Sequence, residues 1–158
     1  IRTSVRKYAR QFIAKKISMS YEPVETTVIT DKKWLSFVIE QVISNAVKYT
    51  KTGGIKIYLE DGDGTMSVPV QKASHRKEDD GENSGMKSVR LVIEDTGIGI
   101  RAEDLPRICE MGYTGCNGHE GQHSSGIGLY LCSRILKKLG HTFSITSKEG
   151  VGTVVKIG

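Results

Sequence analysis

Between Asp31 and the Gly53-Gly54 pair lie Trp34, Leu35, Val38, Ile39, Val42, Ile43, Ala46 and Val47, an apolar stripe repeating every three or four places. That spacing predicts an amphipathic helix from Asp31, a good N-cap, to about Thr50. A stripe this broad is not stable against water and must lie on the apolar face of another element. Strands supply that face. IKIYLE (55–60) alternates, VRLVIED (89–95) is apolar and ends in an acid, and HTFSITS with VGTVVKIG reads as a hairpin turning at Glu149-Gly150.

GIGLYLCSRILKKLG (126–140) has Leu129, Leu131, Cys132, Ile135, Leu136 and Leu139 at helical spacing and Gly140 as its stop. Residues 1–17 place Ile1, Val5, Ala9, Phe12, Ile13 and Ile17 on one helical stripe with a solvated basic face between them. Residues 17–29 fit two short strands around Pro23. The order of elements predicts an α+β domain, a layer of helices on one sheet. Residues 61–88 are polar, charged and rich in Gly and Ser, and are expected to be a poorly ordered insert dispensable for ligand binding. The DGDGT that opens the insert is no calcium loop, because the sixth place lacks Gly and Lys72 stands at the twelfth.

The 158 residues suit one domain. No window approaches the ~18 apolar residues of a membrane-spanning helix. With no initiator Met and no signal-like run, the chain reads as a piece of a longer protein. The net charge of +5 invites a nucleic-acid reading, but Arg2, Arg6, Lys7, Arg10, Lys15 and Lys16 precede the first acid, Glu22, and account for all of it. No general basic footprint remains, and no nucleic-acid partner is expected. Three cysteines form no disulfide framework. Cys109, Cys116, His119 and His123 are acceptable zinc ligands, but their spacing matches no common finger.

Eight of the 18 glycines fall between positions 97 and 128. Glycines concentrated before a helix let backbone amides and the helix dipole approach an anion, so phosphate binding is expected. A Walker A loop is excluded, because Ile127-Gly128 stands where Lys-Ser is required after Gly121 and Gly126. The dinucleotide pattern also fails, with Ala102 and Leu131 in the place of its last glycine.

A third arrangement remains. FVIEQVISNAVKYT (37–50), EDTGIGI (94–100), SSGIGLYL (124–131) and GVGT (150–153) follow one another along nearly the whole chain. In that order they resemble the N box, two glycine boxes and terminal Gly-Thr motif of the ATP-binding domain of bacterial sensor histidine kinases. That domain belongs to the Bergerat-fold superfamily of gyrases, heat-shock chaperones, histidine kinases and mismatch-repair proteins. The resemblance implies a two-layer α/β sandwich: a mixed sheet covered on one face by about three helices, with a flexible ATP lid at 105–125 and residues 1–17 as a basic linker helix. The implied cofactors are ATP and Mg²⁺.

By this resemblance Asn45 holds the metal that bridges the phosphates; an amide oxygen is a hard ligand suited to Mg²⁺. Lys48 offers positive charge to phosphate and Tyr49 packs on the nucleoside. Asp95 accepts from the exocyclic amine of adenine, Gly97 and Gly99 let the chain bend beneath the base, and Thr153 supports the same end. Ile100, Gly126, Gly128 and Leu129 complete the nucleotide contacts. In the lid, Cys109 stands where many relatives carry Phe, and Tyr113 supplies an aromatic. His119 stands near where related sequences often have Arg.

Water-driven ATPases of the superfamily use a Glu four residues before the metal Asn. Here that place is Gln41, whose amide cannot act as a general base, while Glu40 is rotated off the face. Gln41, Asn45 and Lys48 therefore form a site suited to phosphoryl transfer onto a group supplied from elsewhere. The resemblance implies a protein-histidine kinase whose acceptor His lies on a separate dimerisation domain, with onward transfer to a response regulator. None of His75, His119, His123 and His141 lies in an acceptor pattern, so the chain is not expected to phosphorylate itself alone. The motif wording also resembles that of small membrane-embedded kinases of Gram-positive bacteria that work with peptide-sensing ABC transporters. The expected setting is thus the cytoplasmic side of a membrane-anchored, homodimeric parent. A serine-directed kinase of the same fold and a degenerate docking module are the alternatives.

Overall fold

The structure is a computed structural model and describes residues 1–22, 26–62, 88–115 and 125–158. In chain order it contains helices α1 (Arg2–Lys7) and α2 (Ala9–Lys15), strand β1 (Ser18–Tyr21), helix α3 (Lys32–Tyr49), strands β2 (Gly54–Asp61) and β3 (Val89–Asp95), helix α4 (Gly128–Leu139), and strands β4 (Phe143–Lys148) and β5 (Gly152–Ile157). The strands form one sheet in the order β1-β2-β3-β5-β4. β1 runs parallel to β2 and every other pair is antiparallel, so the sheet is mixed.

Cross-strand register explains the core. Ile57, Ile93, Val155 and Ile145 stand side by side across four strands, and Leu59, Leu91, Ile157 and Phe143 form the next row. Residues of these rows share one face of the sheet, which they turn toward the helices, and the residues between them (Lys56 and Tyr58 on β2, Val92 on β3, Lys156 on β5, Ser144 on β4) lie on the other. α3 presses Val38, Ile39, Val42, Ile43, Ala46 and Val47 into that core, and α4 adds Cys132 and Leu136. The expected start of α3 holds: the Asp31 carboxylate accepts from the amides of Lys33 (2.9 Å) and Trp34 (3.1 Å). Gly140, at φ 78°, ends α4 as a left-handed cap. Trp34 departs from the predicted stripe; it is 48% exposed and meets Phe37 edge-on.

Three expectations near the N-terminus need correction. Residues 1–17 are two helices, because Tyr8 leaves helical geometry at ψ 1° between them. Only β1 forms in 17–29 among the described residues; 26–29 carry no strand, and 23–25 lie outside the described set. The basic face is not simply solvated. Lys7 Nζ pairs with Glu40 at 2.8 Å. Lys15 Nζ donates to the carbonyls of Val47 (2.6 Å), Lys48 (3.1 Å) and Thr50 (3.4 Å).

Lys15 thereby places an ammonium on the negative end of the α3 dipole and satisfies carbonyls that have no partner within the helix. Lys15→Met keeps the stem and removes the cap. It should lower stability by about 1 kcal/mol, a fall of about 2–4 °C in the melting temperature. An unchanged melting curve would show that the cap contributes nothing.

The expectation of disorder within 61–88 falls mostly on residues outside the described set. The edges of that insert are joined, since the Gly62 amide donates to the Ser88 carbonyl at 2.6 Å.

Candidate functional site

At one end of the sheet the inner face turns polar. Ile55 stands opposite Asp95, Asp95 opposite Thr153, and Thr153 opposite Ser147. The same alternation that builds the apolar rows brings these polar side chains together, from strands far apart in sequence. The Asp95 carboxylate accepts from the Gly97 amide at 2.8 Å. Burial pushes its pKa up, opposed by hydrogen bonds from the backbones of Gly97 and Thr153, while nearby Glu94 adds to the rise. A half-desolvated acceptor of this kind has a strong demand for a donor.

Asp95 and Thr153 of this row line a cavity of about 330 Å³. α3 supplies one wall with Gln41, Asn45, Lys48 and Tyr49; the loop after β3 supplies Gly99, Ile100, Asp104, Ile108 and Tyr113; and Gly126, Gly128 and Leu129 close it at the start of α4. Every predicted site residue except Gly97 lines this one space. Gly97 instead packs behind it, where an added Cβ would come within 2.7 Å of the Tyr49 carbonyl oxygen. Gly99 (φ 68°) does line the cavity, but its lack of a side chain is required by the Lys148 carbonyl packed against it. Packing against the Tyr49 and Lys148 carbonyls accounts for glycine at both positions.

α3 and α4 run antiparallel. The α4 start meets Gln41, a Cβ on Gly128 lying 3.0 Å from Gln41 Oε1, and Cys132 Sγ lies 3.9 Å from the Val38 carbonyl one turn earlier on α3. Small residues at the head of α4 leave its amides open toward the cavity, a setting for an anion. Lys48 Nζ sits 5.2 Å from the centre of the Tyr49 ring, adding positive charge on the α3 wall.

Two residues of the site carry no signal in the sequence. Asp104, only 6% exposed, accepts from the Tyr113 hydroxyl at 2.6 Å and from Arg101 Nε at 3.4 Å. Arg107 covers the Tyr113 ring at 4.4 Å, so Tyr113 is held as part of the wall with one face already occupied. Ser147 links Thr153 to Ile100 behind the cavity. An acid in a polar segment and a serine in a strand look ordinary locally, because only long-range register brings them to the site.

The 105–125 segment is tied at its base. The Gly112 amide donates to the Gly126 carbonyl at 3.1 Å, and Gly126 (φ 65°) has no room for a Cβ against Gly112. Residues 116–124 of the lid, including the candidate zinc ligands Cys116, His119 and His123, lie outside the described set. Burial pushes the Cys132 thiol up to about 12 and the Cys109 thiol upward too, so neither offers a thiolate near neutral pH.

Comparison with known proteins bears on family and fold. A family model described as histidine kinase-, DNA gyrase B-, and HSP90-like ATPase matches residues 30–158. The sensor histidine kinase YxdK of Bacillus subtilis (strain 168) is 32% identical over 160 residues, covering 99% of this chain and 42% of the relative. The sensor protein kinase GraS of Staphylococcus aureus (strain N315) is 34% identical over 134 residues, covering 85% of this chain and 32% of the relative. The chain thus spans less than half the length of these curated relatives. Among solved structures, the catalytic domain of histidine kinase ThkA in a nucleotide-free form matches with a TM-score of 0.71 at 18% identity, covering 99% of this chain and 88% of that one. Full-length ShkA in complex with AMPPNP matches at 0.70 and 20%, covering 99% of this chain and 28% of that one. These likenesses establish the fold, the mixed sheet with helices on one face expected of the Bergerat architecture.

Proposed function

The chain belongs to the histidine kinase-, DNA gyrase B-, and HSP90-like ATPase family, and from that premise we propose that it is the ATP-binding catalytic domain of a two-component sensor histidine kinase. The observation that carries this reading is the convergence of four separated motifs on one cavity: Asn45, Asp95, Gly126 with Gly128, and Thr153. The lining combines the carboxylate and hydroxyl acceptors of Asp95 and Thr153, the apolar side chains of Ile100 and Leu129, and Lys48 with the start of α4. A purine with an exocyclic amine fits the first, its rings the second and phosphates the third.

Mg²⁺ suits the donor set. Among the described residues no group of three or more His, Cys, Asp or Glu could cage a metal. Asn45 offers one hard oxygen, and Mg²⁺ commonly takes one or two protein ligands and completes its shell with phosphate and water. When bound, it would neutralise phosphate charge. Gln41 cannot remove a proton from water, so the site suits transfer to a nucleophile brought in by another domain. That nucleophile is a histidine on the dimerisation domain of the parent protein, and the phosphoryl group passes on to a response regulator. The names of the relatives, both sensor kinases, support this. We extend the same reading to a membrane-anchored homodimeric parent acting with a peptide-sensing ABC transporter.

Calorimetric titration tests the site. ATP should bind the 158-residue chain more tightly with Mg²⁺ than without, and Asn45→Ala should erase most of that difference. Supplying an acceptor domain in trans with γ-labelled ATP should then label histidine. Label on serine would favour the serine-directed alternative, and absence of ATP binding the docking module.

A further inference from the structure

Ser147 stands at the end of the polar row and lies behind the cavity wall. Its hydroxyl has three polar neighbours: the Gly152 carbonyl oxygen at 2.7 Å, the Ile100 amide nitrogen at 2.8 Å and the Thr153 hydroxyl at 2.9 Å. Their chemistry fixes where each hydrogen lies. A carbonyl can only accept, and two oxygens 2.7 Å apart without a hydrogen between them repel. The one hydrogen of Ser147 therefore points at Gly152. The Ile100 amide can only donate, and it takes one lone pair of Ser147. The remaining lone pair must accept from Thr153. The Thr153 hydrogen is thereby turned away into the wall, leaving that hydroxyl as an acceptor beside Asp95.

We propose that Ser147 is a positioning residue that sets the polarity of Thr153, so that the sheet end of the cavity accepts an amine on the base and rejects a carbonyl there. This rests on the nucleotide-binding reading above and deepens it, since it assigns the choice of base to a residue that touches no nucleotide. Without Ser147 the Thr153 hydroxyl rotates freely and can donate to a carbonyl. A site with fixed polarity discriminates between analogues because the wrong one leaves buried polar groups opposed or unpaired.

The test compares ATP with inosine triphosphate, which replaces the 6-amine by a 6-oxo group, on the 158-residue chain with Mg²⁺. The original chain should prefer ATP. Ser147→Ala should reduce the ratio of the two affinities about tenfold, mainly by improving the inosine nucleotide, and Ser147→Thr should restore it. A merely structural role would weaken both nucleotides equally and leave the ratio unchanged, which would overturn the proposal. Thr153→Val offers a second route should Ser147→Ala not fold. It should lower the same ratio, and a ratio left intact would equally overturn the proposal. If the original chain binds neither nucleotide, the nucleotide-binding reading itself fails and the proposal with it. ATP binding with an unaltered ratio in the variants removes only the role of Ser147.

Discussion

Asp95→Asn should weaken ATP binding by about 100-fold or more while leaving the fold at least as stable near neutral pH. The two effects separate because they come from different properties of one carboxylate. Ionised, it only accepts hydrogen bonds. The Gly97 amide holds Oδ1 at 2.8 Å, and the Thr153 backbone also donates to the group. An asparagine must direct an NH₂ toward one of these donors or toward the amine of the base, so at least one donor meets a donor, and charge assistance is lost as well.

Stability follows the opposite sign. Burial raises the Asp95 pKa above its ordinary 3.8. Between 3.8 and that raised value the folded state holds more protons than the unfolded chain, so the contribution of this group to stability falls as pH rises through the window. Above it the full cost of a buried charge is present, and the amide removes that cost. Denaturant melts at pH 7 and pH 4 should show the variant gaining on the parent as pH rises. A variant that loses stability more steeply at pH 7 than at pH 4 would contradict this account, and one that retains ATP affinity would remove Asp95 from the binding site.

The second large effect lies in the GVGT motif, whose two glycines should respond very differently. Gly152 has φ 142°, and an added Cβ would overlap the Asp95 carbonyl and stand 3.0 Å from Thr96 Cα on the neighbouring strand. Gly152→Ala combines backbone strain with overpacking against main chain that cannot move aside, together about 4 kcal/mol. The melting temperature should fall by about 8–16 °C. Because the displaced carbonyl belongs to Asp95 and the next residue is Thr153, ATP binding should weaken too. Gly150 (φ 74°) has open space where its Cβ would lie. Gly150→Ala should cost only the left-handed conformation, about 1 kcal/mol, with nucleotide affinity intact. Equal losses in the two variants would show that turn conformation alone decides the motif.

Most elements are legible in the sequence because their signals are local. The stripe from Trp34 to Val47 specifies a helix through its own period, Asp31 caps it, and alternation in 55–60 marks a strand whatever it pairs with. Expectation and fold part where local signals are weak or overruled. The stripe through residues 1–17 ignores the break at Tyr8, and Ile13, which it counts as inward, is 78% exposed. The β-prone run 17–29 yields only the edge strand β1 in the described residues, where pairing with β2 holds Ser18–Tyr21 and nothing pairs with 26–29. Lys15 reads as one more solvated cation until α3 places three carbonyls around it.

The candidate site divides in the same way. Sequence alone determined its chemistry: an amide on a helix, a carboxylate ending an apolar strand, and glycines before a helix, in an order that marks the family. Tertiary structure alone decided that Asp95, Thr153 and Ser147 share one row, that Gly97 serves the wall rather than the cavity, and that Asp104 anchors Tyr113. Residue type and spacing are written along the chain, whereas register between distant strands depends on how the apolar rows fit against the helices. That same fit sets which polar groups become neighbours in the site.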